Sequence, residues 1–272
     1  MTYCKHCGAE LEENAKFCSK CGTPVATQTI ERKEPVSRKR RPMSPWAFVG
    51  IAVLAVVLVA ALITVSLLLV GWFPFSRVVG SGNLRTQEEA LSDFAVVDVG
   101  SGFKVNITQA NSYRITITAD ENLFDYIQVT KTADTLIIGL APGVSYQTSG
   151  LKAEITMPDL QEVQFSGGVD GTATGFVLSH DFTVELSGGS ILRMYGEAVN
   201  LAASGSGGSR LEFSEFVVTN ADIDLSGGSQ GTINLSGVLN ADVSGGSRLF
   251  YIGNPTLGDV STSGGSNISA LK

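Results

Sequence analysis

Residues 186–190 read Leu-Ser-Gly-Gly-Ser. The tetrad SGGS then recurs from Ser206, Ser226, Ser244 and Ser263, and a variant, SGGV, begins at Ser166. The six copies open about 18 to 21 residues apart, the regularity of a solenoid repeat and not of a flexible Gly/Ser linker. One and three places before each opening serine stand Phe165 and Val163, Leu186 and Val184, Gly205 and Ala203, Leu225 and Ile223, Val243 and Ala241, Thr262 and Val260. Two places before it stand Gln164, Glu185, Ser204, Asp224, Asp242 and Ser261. Apolar or small residues thus alternate with polar ones, and a period of two is the mark of a β-strand with one buried face.

The alternation restarts after the tetrad. Leu192, Leu211, Leu249 and Ile268 share one phase, with Gly231 as the exception; Met194, Phe213, Ile233, Tyr251 and Ala270 share the next inward phase. Each tetrad therefore joins two strands. Stretches such as Val199–Ala203 and Phe216–Asn220 are expected to supply a third short strand, so that about twenty residues close one coil of a parallel β-helix. Stacked coils bring each corner close to its copy, about 4.8 Å away. Glycine suits that position because it accepts positive φ and close backbone approach, and the serines are placed to hydrogen-bond from coil to coil. Residues 94–160 read as a less regular beginning of the same body, through FAVVDV, FKVNIT, YRITITA, YIQVT, TLIIGL and KAEITM. Little sequence after Ser266 is available to cover the last coil, which predicts an exposed strand edge.

Composition divides the chain sharply. Residues 1–45 hold all four cysteines and nine Lys/Arg against five Asp/Glu; residues 47–70 hold no charge; residues 71–272 hold ten Lys/Arg against twenty-one Asp/Glu. The net charge of -7 is thus a basic head joined to an acidic body. An acidic body repels phosphate and argues against nucleic acid as a partner.

The head contains Cys4-Lys5-His6-Cys7-Gly8 and Cys18-Ser19-Lys20-Cys21-Gly22. Two CxxC knuckles can close a tetrahedron of thiolates around one Zn²⁺, and a glycine after each pair lets backbone amides turn toward sulfur. This pattern points to metal rather than to disulfides or a redox pair, so Cys4, Cys7, Cys18 and Cys21 are the expected ligands of a structural zinc ion. Some twenty residues cannot bury a useful core, and metal binding would supply about 10 kcal/mol of folding free energy. The stretch YCKHCGAELEENAKFCSKCGTPV, residues 3–25, resembles the short N-terminal zinc ribbons of bacterial membrane proteins.

Residues 26–45 form a basic, proline-containing linker. Ala47 to Val70 then runs without charge between Trp46 and Trp72. As a helix it would extend roughly 36 Å, enough to cross a bilayer, with the tryptophans at the interfaces. The stretch is too long and too far from the N-terminus for a signal peptide, and no small-residue cleavage site follows it. Arg38, Lys39, Arg40 and Arg41 on one flank against Arg77 on the other place the N-terminus in the cytoplasm and the body outside. The cysteines agree, since metal-binding thiols belong in a reducing compartment.

The expected organisation is a zinc ribbon at 1–25, a linker at 26–45, a transmembrane helix at 46–72, a juxtamembrane linker at 73–92 and a mainly β body at 93–272. GSGNLRTQEEALSDFAVVDVGSGFKVNI, YRITITADENLFDYI, EITMPDLQEVQFSGG and the SGGS series, roughly residues 78–272, resemble the head GIN domain found in autotransporter-type adhesins. The resemblance implies a right-handed parallel β-helix on a bacterial cell surface and brings no catalytic residues.

Three functional readings follow. In the first, the body is a binding or adhesion module for an envelope polymer, a protein or another copy of itself. In the second, the ribbon docks a cytoplasmic protein and the chain signals across the membrane. In the third, the body is a polysaccharide-active enzyme, for which Asp222, Asp224 and Asp242 are the candidate carboxylates, with Arg210 and Arg248 in another column. The third is the weakest. Every solenoid strand must place polar residues outward, and His180, the one histidine of the body, falls in a loop without a matching nucleophile.

Overall fold

The computed structural model describes residues 2–4, 6–11, 15–24 and 76–271. Two compact units are separated at the boundary between Trp72 and Phe73. The expected transmembrane segment, 46–72, and the basic linker, 26–45, lie outside the described residues. Among the described residues no helix is long and apolar enough to cross a membrane.

The first unit holds β1 (Thr2–Tyr3) and β2 (Glu10–Leu11), an antiparallel pair around the first CxxC knuckle. The second unit opens with β3 (Ser76–Val79) and β4 (Leu84–Glu89), followed by β5 (Val96–Val99), β6 (Lys104–Gln109) and β7 (Arg114–Asp120). A 3₁₀ turn at Glu121–Tyr126 leads to β8 (Ile127–Thr132), β9 (Thr135–Leu140), β10 (Val144–Gln147) and β11 (Leu151–Met157). The repeats then supply β12 (Glu162–Phe165), β13 (Asp170–Val177), β14 (Phe182–Leu186), β15 (Ile191–Gly205), β16 (Arg210–Leu225), β17 (Gln230–Leu235), β18 (Val238–Val243), β19 (Arg248–Ile252), β20 (Thr256–Thr262) and β21 (Asn267–Ala270).

The body is a parallel β-solenoid, as the repeat predicts. One parallel face runs β9–β5–β12–β14, then the second halves of β15 and β16, then β18 and β20. The other runs β11–β6–β13, then the first halves of β15 and β16, then β17, β19 and β21. The columns read from the sequence are register partners: Leu192, Leu211, Gly231, Leu249 and Ile268 stack, as do Gln164, Glu185, Ser204, Asp224, Asp242 and Ser261. The third side is shorter than expected. It amounts to Phe176–Val177 over Gly196–Ala198 over Phe216–Val218, with Val217–Val218 over Asn234–Leu235, while most of Val199–Ala203 belongs to the face that enters the next corner. β15 and β16 run through this bend with only a register shift; in β15 the bend passes through Gly196, at φ 136°, where a Cβ would lie 2.0 Å from the Phe176 carbonyl oxygen.

The core is filled by complementary sizes. Phe165, Phe176, Phe182, Phe213 and Phe216 are fully buried, each contributing roughly 2–3 kcal/mol of apolar burial. The glycines that break the inward columns, Gly171, Gly205 and Gly231, are compensated by their neighbours. A Cβ at Gly171 would lie 2.1 Å from the Phe165 ring, and one at Gly205 would lie 2.9 Å from Leu225 Cδ2 and 3.1 Å from Leu211 Cδ1. The space a glycine leaves is thus occupied by a larger side chain from across the same corner or from a neighbouring coil, which keeps the packing close.

Two findings depart from the sequence reading. First, residues 73–92 were expected to be a linker, but Ser76–Val79 pairs in parallel with β10 and Leu84–Glu89 pairs antiparallel with β7. β4 is held by backbone bonds at a sheet edge with nearly every side chain exposed, so it carries no hydrophobic period to read. Second, the start of the body is not a plain coil. β7 lies antiparallel to β11, and β8 lies antiparallel to β9, so both faces end in reversed strands.

Candidate functional site

In the ribbon, the two knuckles are near copies. Gly8 N–H donates to the Cys4 carbonyl and Gly22 N–H to the Cys18 carbonyl, both at 2.8 Å, with φ of 72° and 70° at the glycines. The four sulfurs lie within 4.8 Å of one another, with Cys4 Sγ 3.7 Å from Cys21 Sγ and Cys7 Sγ 3.7 Å from Cys18 Sγ. A zinc–thiolate tetrahedron with bonds of about 2.3 Å has edges of about 3.8 Å, so the spacing and the all-sulfur donor set fit Zn²⁺. Cys4 and Cys18 are buried, while Cys7 and Cys21 are exposed. Backbone amides at His6 and Cys7 pull the Cys4 thiol below its ordinary value. The Thr23 hydroxyl and amide bring Cys21 down to about 6.

The repeated corner of the solenoid resolves into two glycine roles and two serine roles. The first glycine of each tetrad has φ of 61–66° and lies directly over its copy; a Cβ at Gly245 would stand 2.9 Å from Gly227 N. The second glycine has φ near 80° and open space around its absent Cβ. The fourth-position serines Ser190, Ser209, Ser229 and Ser247 are buried. The Ser190 hydroxyl donates to the Ser187 carbonyl at 2.8 Å and accepts the Val169 amide of the preceding coil at 3.2 Å. Ser247 Oγ accepts the Ser229 amide at 3.1 Å in the same way. The opening serines act through the backbone, as where Ser206 N–H donates to the Leu186 carbonyl of the preceding coil at 2.9 Å, so corner chemistry holds the coils together.

The outer faces differ in charge. From β5 to β20, the face entering the corners carries Asp98, Glu162, Glu185, Asp222, Asp224, Asp242 and Asp259 and no Lys or Arg. The other face carries Lys104, Lys152, Arg193, Arg210 and Arg248, partly neutralised: Arg193 pairs with Asp170 and Glu212, and Lys152 with Glu154. Asp224 and Asp242 are adjacent register partners, Asp222 faces Asn240, and Arg210 and Arg248 are separated by Gln230 in one column. The structure thus places these residues as the sequence reading did. A shallow groove of about 530 Å³ collects Asp222, Asn240, Asp242, Asp259 and Ser261.

A second groove, about 650 Å³, lies where Asp134, Glu162, His180 and Asp181 meet. His180 Nε2 is 2.8 Å from Asp159 Oδ1 and Nδ1 is 2.8 Å from the Asp181 carbonyl. Both partners are acceptors, so both ring nitrogens donate and the imidazolium is favoured. Asp159 first, and then the Asp181 carbonyl, raise the His180 pKa against partial burial. A ring engaged at both nitrogens is poorly placed to take a proton from a nucleophile.

Three features went unread in the sequence. Gly100-Ser101-Gly102-Phe103 forms a seventh corner over Ser166–Val169, with Ser101 at φ 64° and Phe103 buried in the column the serines later fill. Asp181, Asn200 and Asn220 form a ladder at 2.7 and 2.9 Å; their recurrence six places before each opening serine was the available signal. Asp120 is fully buried and accepts from Gly82 N, Thr148 Oγ1, Ser149 N and Ser149 Oγ at 2.6–2.9 Å, which fastens the segment after β3 to the turn after β10. The Ser149 hydroxyl chiefly, aided by the amides, lowers its pKa to about 2 despite burial.

Comparison with known proteins agrees with this architecture. The structure is similar to a crystal structure described as a "putative adhesin" from Bacteroides fragilis, with 21% identity, a TM-score of 0.61, and coverage of 71% of this chain and 100% of that one. It is also similar to one described as a "putative lipid binding protein" from Parabacteroides distasonis, with 17% identity, a TM-score of 0.52, and coverage of 72% and 100%. At such identities the likeness is one of fold. No curated protein matches the chain. A zinc-ribbon family matches residues 3–25. The family described as "Putative auto-transporter adhesin, head GIN domain" matches residues 93–255, more than half of the chain, and the chain belongs to that family.

Proposed function

We propose that this chain is a membrane-anchored bacterial surface protein whose β-solenoid binds a component of the cell envelope and whose zinc ribbon is a folded cytoplasmic module. The observation that carries the reading is the long, cation-free acidic face, built on a rigid scaffold without a buried catalytic cluster among the described residues. Such a face repels polyanions and favours partners that bring positive charge or hydrogen-bond donors. Membership of an adhesin-type family supports binding over catalysis. The apolar segment 47–70 and the basic residues 38–41 support a single-pass anchor with the N-terminus inside.

The ribbon cysteines Cys4, Cys7, Cys18 and Cys21 hold a structural Zn²⁺ in this reading; the metal replaces the core that so short a segment lacks. The solenoid, beginning at Phe73, is to be sedimented with envelope purified from its own organism. Saturable retention is the expected result. Absence of retention in all envelope fractions removes the binding role. A signalling role is favoured by one observation, a zinc ribbon at residues 3–25 in a unit distinct from the solenoid. Deletion of residues 1–25 tests it: a changed cellular response with unchanged surface level supports signalling, and an unchanged response rejects it.

A further inference from the structure

The two ends of the solenoid are finished differently. At the first, reversed strands close both faces: β4 lies on β7, and β8 lies on β9. Their outer edges carry charge, with Arg85, Glu88 and Glu89 in β4 and Lys131 in β8. These are the usual guards against edge-to-edge pairing. At the other end, β20 pairs with β18 and β21 pairs with β19, and neither has a partner on its outer side among the described residues. β20 carries one charge, Asp259; β21 carries none, and neither strand contains proline.

The inward residues of this last coil show what is left uncovered. Leu239 is fully buried, whereas its register partner Leu257 is 50% exposed. Ala241 is 4% exposed and its partner Val260 38%. Ile268 covers the buried Leu249 and is itself half-buried, and Leu271 is exposed. Among the described residues, the end therefore combines an apolar cross-section of the core with two rows of backbone N–H and C=O groups that have no strand partner. Each group is costly to bury alone and favourable to bury together with a matching partner.

We propose that this end is a self-association surface on which a second copy of the chain docks end to end, last coil against last coil. The occupant has to cover two strand edges set one solenoid width apart, together with the apolar centre between them. A single extended peptide satisfies one edge and leaves the centre wet. The first end of another copy brings charged edges and a closed core. Another last coil brings two near-neutral edges at the same separation and an equal apolar patch. The relation is two-fold, so β20 pairs antiparallel with its own copy. Centring the axis on Val260 sets Asp259 opposite Ser261 and keeps the two carboxylates from facing each other directly. A two-fold interface uses the same patch on both copies and closes at two. The surface takes in β20, the last strand of the acidic face, but its apolar centre and strand edges need no envelope ligand.

The test uses the full chain in detergent micelles, without envelope. Sedimentation over a wide concentration range is expected to give a reversible monomer–dimer equilibrium that stops at the dimer. Leu257→Lys with Val260→Lys places two charges in the edge and should raise the dimer dissociation constant by about tenfold or more. Both side chains are already substantially exposed, so circular dichroism and the melting midpoint should hold. As a second readout, Val260→Cys should cross-link into a disulfide dimer on mild oxidation. Ser204→Cys, exposed on the outer face in mid-solenoid, and the chain with only its native cysteines should not. A monomer at every concentration overturns the proposal. So do a dimer indifferent to both lysines, growth into open-ended filaments, and failure of Val260→Cys to cross-link.

Discussion

At the scale of single residues, the corner shows how one amino acid serves two physical needs. Gly245 and Gly246 both have positive φ, but only Gly245 lies against the backbone of the coil before it. Gly246→Ala should therefore cost about 1–2 kcal/mol, the penalty of a left-handed alanine. Gly245→Ala should cost more, because Gly227 must also move, and denaturant midpoints of the two variants will order them. Asp120 is the corresponding polar case. Asp120→Asn puts an amide donor among four donors and should destabilise the body by about 2–3 kcal/mol, measured the same way. Because its folded pKa is depressed to about 2, the ionised group stabilises the body above the ordinary aspartate range. That contribution fades as pH falls from about 4 toward 2. His180 has the opposite sign. Its raised pKa stabilises the fold fully below about pH 6.5 and the benefit is lost as pH rises through the folded value. An NMR titration of this ring should show the upward shift, and Asp159→Asn should reduce it.

At the scale of elements, the ribbon and the strands are stabilised by different means. Among the described residues the ribbon has two short strands and only Cys4 and Cys18 buried, so in the zinc-binding reading its order rests on the four sulfurs. Cys18→Ser should abolish zinc retention measured by elemental analysis, and chelation of the wild-type chain should unfold residues 2–24 while leaving the melting of the solenoid unchanged. The strands are stabilised by backbone pairing with their neighbours, which is why β4 exists on β7 with hardly any buried side chain. For the same reason the sequence reading took it for a linker. Its partner lies about thirty residues away and no local period announces it. The repeat strands were legible because each writes the same alternation at the same phase. The seventh corner was missed because Gly100-Ser101-Gly102-Phe103 keeps the required backbone while changing the letters.

At the scale of the molecule, the body behaves as a stack. Gly205 and Leu225 are register partners, so removal of residues 206–225 excises one complete coil and returns Gly205 to Ser226 in phase. The shortened body should fold with native-like circular dichroism and a modestly lower melting midpoint. Removal of residues 206–215 leaves a half coil, sets a corner over a strand, and should prevent cooperative folding. The separation of charge between faces is also a whole-molecule property. Neither strand sequence nor corner sequence specifies it, since it requires knowing which outward columns share a face.

The sequence by itself determined the solenoid, its columns and corners, and the cysteine tetrad. Each of these is a local pattern, repeated or closely spaced, that dictates its own backbone. The outer columns bearing Asp222, Asp224 and Asp242 were legible for the same reason. Only the tertiary structure decided the closed first end, the Asp120 clasp and the engagement of both His180 nitrogens. These depend on pairings between segments far apart in the chain. Their stability comes from burying groups that no short stretch of sequence shows to be adjacent.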